Sequence, residues 1–226
     1  MIPSCIGIIM DGNRRWARKN NFPLFEGHRR GYAKIKEVAS WAKEAGVGTL
    51  ILYVFSTENW NRPKEEIGFL MDLFRWIFKN EIKYLKNQKI KITAVGQKAL
   101  LPEDIQKEAA RIEKETKHFS GLHIVLAISY GGRSEILSAV KDIVRGGLDE
   151  ESVTEETFKN HLWTKGIPDP DIIIRSGGEK RLSNFLPWQS VYSEMFFVDS
   201  YWPEFSKEEF SNILAEYSKR ERRRGK

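Results

Sequence analysis

The chain has 226 residues, 41% hydrophobic and 30% charged, with a formal net charge of +6. That length makes one domain, residues 1–226, with room for a full core, and the composition excludes a disordered chain. Six cations stand between residues 219 and 226 against one acid, so the rest is nearly neutral and offers no basic face to nucleic acid.

Residues 5–10 read as a first apolar strand. It ends on Asp11, and Gly12, Asn13, Arg14, Arg15 and Trp16 follow as a helical pattern begins. A carboxylate, free backbone N–H groups and two guanidinium groups thus stand at the carboxyl end of a strand. Open α/β sheets bind ligands there, and helix N-termini attract phosphate. The carboxylate would repel a phosphate unless a cation lay between them. Asp11 beside arginines therefore points to a divalent metal bridging to an anionic substrate. His28 stands just before a helix over 31–45 and suits a structural role and a phosphate contact or proton relay equally.

The run 49–55 is the second strand, and Ser56, Thr57, Glu58, Asn59, Trp60, Asn61, Arg62 and Pro63 come straight after it. Residues 65–85 read as one long helix. Phe69, Leu70, Leu73, Phe74, Ile77, Phe78, Ile82 and Leu85 give it a wide apolar stripe. Such a stripe serves a packing face and the wall of a channel for an apolar ligand alike. Strand 90–95, helix 103–117 and strand 123–129 follow, then a Tyr130-Gly131-Gly132-Arg133 turn and helix 134–144. Residues 146–151 read as a surface loop and 155–162 as a helix. Strand 171–175 leads into a third polar cluster that holds Arg175, Ser176, Gly177, Gly178, Glu179, Arg181, Leu182, Ser183 and Asn184. Strand 194–198 opens on Glu194 in an apolar setting, and helix 207–217 ends the pattern.

This alternation predicts an α/β fold with a mostly parallel six-stranded sheet flanked by helices. In a parallel sheet the first three clusters share the carboxyl edge and bring together Arg14, Arg15, Arg62, Arg175 and Arg181. Arginine holds phosphate through a planar, bidentate fork. Five of them suit a diphosphate on each of two substrates. Arg15 equally suits a surface ion pair, and Trp60 and Trp188 suit core packing, Trp188 the more so. The single cysteine, Cys5, excludes a disulfide framework and reads as a buried, inert thiol. Walker, His-Glu-x-x-His and Gly-x-Ser-x-Gly patterns are absent. No basic-flanked apolar leader is present, and no apolar run approaches the ~20 residues of a membrane helix, so the expected location is cytoplasmic.

Three motifs now stand out together: Met-Asp-Gly-Asn-x-Arg-Trp at 10–16, Phe-Ser-Thr-Glu-Asn-Trp-x-Arg-Pro at 55–63 and Arg-Ser-Gly-Gly-Glu-x-Arg-x-Ser-Asn-Phe at 175–185. In combination they resemble the cis-prenyltransferases, the undecaprenyl diphosphate synthase family, from residue 8 to about residue 225. Asp-Asp-x-x-Asp, the motif of trans-type synthases, is absent. The resemblance implies an enzyme that elongates an allylic diphosphate, farnesyl or geranylgeranyl diphosphate, with isopentenyl diphosphate units. It implies Mg²⁺, a homodimer, an apolar tunnel between sheet and helices, and peripheral membrane contact on product release. Asp11 would hold the metal and help ionise the allylic carbon–oxygen bond, with Glu194 as the second metal-associated carboxylate. Gly12, Asn13, Arg14, Arg15 and His28 would surround the allylic diphosphate, and Arg175, Arg181 and Ser183 the isopentenyl diphosphate. Ser56, Glu58, Asn59, Trp60 and Arg62 would form a mobile loop, with Asn59 relaying or orienting the departing proton. Trp16, Thr57 and Leu182 belong to the same motifs and are assigned to substrate binding with them. Arg223, in the family's Arg-x-Gly, would reach the partner subunit's site.

Two positions depart from the family. Leu24 stands where it usually has arginine, which implies a weaker grip on the allylic diphosphate that Arg14 offsets. Val54 stands where it often has a small residue beside the tunnel, which implies a shorter product. Two other readings compete. A non-catalytic partner subunit of the same fold would have lost Asp11, Asn59 and the arginines, all present here. A nucleic-acid binder would have to rely on the basic tail and Tyr217 alone.

Overall fold

In the computed structural model, which describes residues 1–220, the six expected strands form one sheet. They are β1 (Cys5–Ile9), β2 (Thr49–Ser56), β3 (Lys91–Val95), β4 (His123–Tyr130), β5 (Ile172–Arg175) and β6 (Glu194–Phe197). The order is β3-β4-β2-β1-β5-β6, and every pairing is parallel. The central strands are buried along nearly their whole length, as strands covered on both faces must be. The carboxyl ends of β1, β2 and β5 therefore open at one edge, and the three polar clusters meet there.

The helices are α1 (Asn13–Lys19), α2 (Leu24–Glu44), α3 (Lys64–Asn80), α4 (Ile82–Gln88), α5 (Glu103–Thr116), α6 (Gly132–Arg145), α7 (Glu155–His161) and α8 (Lys207–Lys219). Two differ from expectation. The helix expected over 31–45 begins at Leu24, straight after Pro23. Gly27 and Gly31 look like breakers in sequence but are contact points. A Cβ on Gly27 would lie 2.2 Å from the Asn13 carbonyl oxygen, where α2 crosses α1. The helix expected over 65–85 is two helices, separated at Glu81, whose carboxylate is buried.

The larger core lies between the sheet and α2, α3, α5 and α8 and holds Phe55, Phe74, Phe78, Trp202 and Phe210. A smaller one on the other face is built around Tyr130, Phe185 and Leu186. Cys5 is fully buried there, and burial pushes its thiol well above the usual range. Trp188 is not a core residue; it is half-buried, its ring 4.5 Å from that of Phe158. The β2–β4 ladder slips by one residue at Val54 on β2 and at Ser129 on β4. Such bulges re-aim side chains, and Val54 here faces the cavities between the sheet and α2–α3.

Candidate active site

Gly12 makes the turn out of β1. Its φ of +100° suits glycine, and a Cβ there would meet the Tyr201 ring at 2.7 Å. The turn is fixed from two sides: the Ser176 hydroxyl donates to the Asp11 carbonyl at 2.8 Å, and the Trp202 N–H donates to it at 2.9 Å. The Asp11 carboxylate is left at the edge of the sheet with two cations on it. Arg175 Nη2 lies 2.9 Å from one oxygen and Arg15 Nη2 3.1 Å from the other. Arg175 is the last residue of β5, pairs in register with Ile9, and is 4% exposed. Its guanidinium also donates to the Arg181 carbonyl and, at 2.8 Å, to the Ser183 hydroxyl. Its Nε is buried with no hydrogen bond.

Two polar cavities open on either side of Asp11. One, of about 380 Å³, is lined by Gly12, Asn13, Arg14, Arg15 and Arg18. The other, of about 500 Å³, is lined by Ser56, Glu58, Asn59, Arg175, Ser183 and Asn184. Asp11, Asn13, His28 and Arg62 line both. Apart from Arg181, the two residue sets expected around the two diphosphates thus border two adjoining compartments that share Asp11.

The loop after β2 is a 3₁₀ turn over Thr57–Asn61. Asn59 Oδ1 accepts from the Ser56 N–H at 3.0 Å and closes its capping box, so Asn59 is held by its own backbone turn while facing the cavity. The third cluster latches onto this loop, since Asn184 Nδ2 donates to Glu58 at 2.9 Å. Burial pulls the Glu58 carboxyl upward, but hydrogen bonds from Asn184, Ser56 and Thr57 outweigh it and hold it below its ordinary value.

Sequence reasoning missed Glu66. It sits one helical turn after Arg62 on α3 with its side chain 8% exposed. Arg62 lies 2.9 Å from it, His28 Nε2 3.4 Å and Arg14 3.5 Å. One buried carboxylate thus orients three groups expected to face phosphate. The signal was present as an i, i+4 Arg–Glu pair, which on a helix surface has no functional meaning. Burial depresses the pKa of His28, Arg62 and Arg14 add to the effect, and Glu66 opposes it. His28 is therefore neutral at pH 7.

Six expected site residues lie elsewhere. Trp16 is buried against Phe22, ring centroids 5.6 Å apart, under the Arg30 guanidinium. Trp60 donates to the Ser129 hydroxyl at 2.9 Å and packs on Phe55. Leu182 packs against the smaller core. Arg181 points outward, 60% exposed, and pairs with Glu179 at 2.5 Å. Thr57 donates to Glu58 at 3.1 Å and sits against Gly131, lining neither compartment. Glu194 is the clearest departure. It opens β6 in register with Ile172, at the amino edge of the sheet, three residues or about 10 Å below the level of Arg175. It is ion-paired with Arg220 there. Within one chain the fold does not bring it to Asp11. Arg223 lies outside the described residues.

Among the described residues, no group of three or more His, Cys, Asp or Glu side chains could hold a metal ion. Asp11 alone still fits Mg²⁺, which commonly takes one or two carboxylates and completes its octahedron with waters and substrate phosphates. Below the polar compartments the lining turns apolar. Val54, Leu70, Phe74 and Ile77 surround a small cavity of about 70 Å³, and beyond it lies one of about 80 Å³ between α2, α3, α5 and the sheet. Among the described residues no helix is long and apolar enough to cross a membrane.

Residues 9–225 match the family model described as "Putative undecaprenyl diphosphate synthase". An isoprenyl transferase of Thermotoga maritima is 46% identical, over 99% of this chain and 97% of that protein. A tritrans,polycis-undecaprenyl-diphosphate synthase (geranylgeranyl-diphosphate specific) of Thermococcus kodakarensis is also 46% identical, over 100% of this chain and 88% of that one. Among solved structures, lavandulyl diphosphate synthase from Lavandula x intermedia, in complex with dimethylallyl diphosphate, superposes with a TM-score of 0.94. It shares 34% identity and covers 100% of this chain and 99% of its own.

Proposed function

The chain belongs to the undecaprenyl diphosphate synthase family, and from that membership and its site we propose that it is a Mg²⁺-dependent cis-prenyltransferase. It condenses isopentenyl diphosphate units onto farnesyl or geranylgeranyl diphosphate to make a long-chain polyprenyl diphosphate. The observation that carries this reading is the position of Asp11, shared by two arginine-lined compartments above an apolar seam. The allylic diphosphate belongs in the compartment of Arg14 and Arg15, and the isopentenyl diphosphate in that of Arg175 and Ser183. Mg²⁺, held by Asp11, supplies charge neutralisation for the departing diphosphate.

The protein's own groups account for the rest. The arginine forks fix both diphosphates, so that positioning and charge stabilisation provide most of the acceleration. Glu66 keeps Arg14 and Arg62 aimed while the site is empty. Asn59 orients the proton that leaves after condensation; a neutral amide is too weak a base to keep it. The hydrocarbon tail enters the seam beside Val54. A homodimer is part of the proposal, supported by Leu137, Val140 and Val144, which stand exposed along α6 and leave an apolar strip for a partner. Cytoplasmic placement with peripheral membrane contact on product release completes it.

The test is incubation with isopentenyl diphosphate, Mg²⁺ and either primer, followed by chromatography of the dephosphorylated products. A ladder of polyprenols is expected. No product from either primer would refute the assignment.

A further inference from the structure

One buried carboxylate has no part in that chemistry. Glu81, 7% exposed, sits at the break between α3 and α4. It accepts from Lys36 Nζ of α2 at 2.7 Å, across 45 residues of sequence. The ammonium also lies 4.9 Å from the Tyr84 ring centre and 5.4 Å from that of Tyr32. Burial, with Glu81 adding to it, pushes the Tyr32 hydroxyl well above its ordinary range. This cluster closes the far end of the apolar cavity. Lys36, Glu81 and Tyr84 line the distal cavity of about 80 Å³ but neither compartment near Asp11.

The distal cavity is no larger than a few water molecules, each of which occupies about 30 Å³ in the liquid. A chain that grows by five carbons per step can enter only if α2 parts from α3–α4. The Lys36–Glu81 pair spans that seam. Opening the seam strips Glu81, whose side chain is 10% exposed, of its cation, while Lys36, at 37%, already reaches water; the cost falls on the buried carboxylate left unpaired. Nearer Asp11, α2 meets α3 through the longer His28–Glu66 contact, at 3.4 Å. Around Val54, Leu70 and Phe74 the walls are mostly apolar side chains, and those yield gradually.

We propose that the Lys36–Glu81 ion pair is a specificity-determining latch that sets where chain growth stops. It rests on the prenyltransferase reading above, and it assigns to these two residues product length, not rate. Lys36→Glu, Glu81→Lys and the charge-swapped double variant test it, each incubated with isopentenyl diphosphate and geranylgeranyl diphosphate under Mg²⁺. Both single variants should shift the main product longer by one or more five-carbon units. Their first condensation, measured in single turnover, should stay within about twofold of the parent, since neither residue borders the diphosphates. The double variant restores the pair and should return the parent's distribution. If a single variant fails to fold, Glu81→Gln, which keeps the shape and removes the charge, should lengthen the product in its place. Unchanged or shortened products in folded variants would overturn the latch, as would a double variant that behaves like the singles. A parent enzyme that makes no product at all would instead overturn the prenyltransferase assignment.

Discussion

The carboxyl edge of the sheet and the seam between α2 and α3–α4 handle polar groups in opposite ways. At the edge, cations outnumber the acids that hold them, Arg175 Nε and Asn13 Oδ1 are buried without hydrogen bonds, and Ser183 and Asn184 take positive φ. Buried polar atoms normally find partners, and backbone strain gathers at functional sites. In the seam the buried carboxylate Glu81 is matched by Lys36, and apart from Tyr32 and Tyr84 the other side chains lining it are hydrocarbon. On the proposed reading the edge receives a charged ligand, and the seam excludes water until a hydrocarbon arrives. A residue that serves both must stand where they meet, and Val54, at a bulge, borders three of the four cavities described.

Substitutions on the two sides should fail differently. Arg175→Ala strips Asp11 of its most buried partner and should lower kcat/KM by about 10²–10³-fold, the usual cost of losing a positioned donor to developing charge. Its melting temperature should move little by comparison, and steady-state kinetics beside a thermal scan read both. Phe74→Ala on the seam should do the reverse. It removes a ring 4% exposed and should cost about 3–5 kcal/mol of stability, measured by denaturant unfolding, while the folded fraction still condenses its first unit.

The contrast also explains what was legible in the sequence. The six strands were readable because a two-sided parallel sheet needs near-continuous apolar runs. The Asp11, Ser56–Arg62 and Arg175–Asn184 clusters were readable because each follows such a run. The start of α2 was not, since Gly27 and Gly31 are demanded by a helix crossing that no local pattern records. Nor was the break at Glu81, because the apolar stripe runs through it unbroken. Glu66 was hidden for a related reason: its importance comes from His28 and Arg14, which are remote in sequence. Glu194 is the opposite case. Its apolar setting marks it as unusual, but the register of β6 puts it at the wrong edge for Asp11 within one chain.

Smaller effects sharpen the comparison. Leu24→Arg, at the first turn of α2 near His28, should tighten the allylic diphosphate by a few-fold, in line with about 1 kcal/mol for one added charge contact; an unchanged KM for that substrate would remove the idea that Leu24 weakens the grip. His123 opens β4 and lines none of the cavities described; it lies 2.8 Å from the Thr93 hydroxyl. Burial, aided by Lys91, lowers its pKa from 6.5 to about 4. The unfolded chain therefore takes up a proton there before the folded one does. The folded state keeps its full stability above pH 6.5 and loses part of it as pH falls toward 4. His123→Gln should flatten that slope in urea unfolding, with activity at pH 7 unchanged.

The most direct test is the Mg²⁺ dependence of condensation in Asp11→Asn, which keeps the side chain's size and removes its charge. A fall in kcat of about 10³-fold, roughly 4 kcal/mol of barrier, with no recovery at saturating Mg²⁺, is what a metal-loaded diphosphate held at Asp11 requires. Turnover equal to the parent's, with the same Mg²⁺ titration, would contradict it.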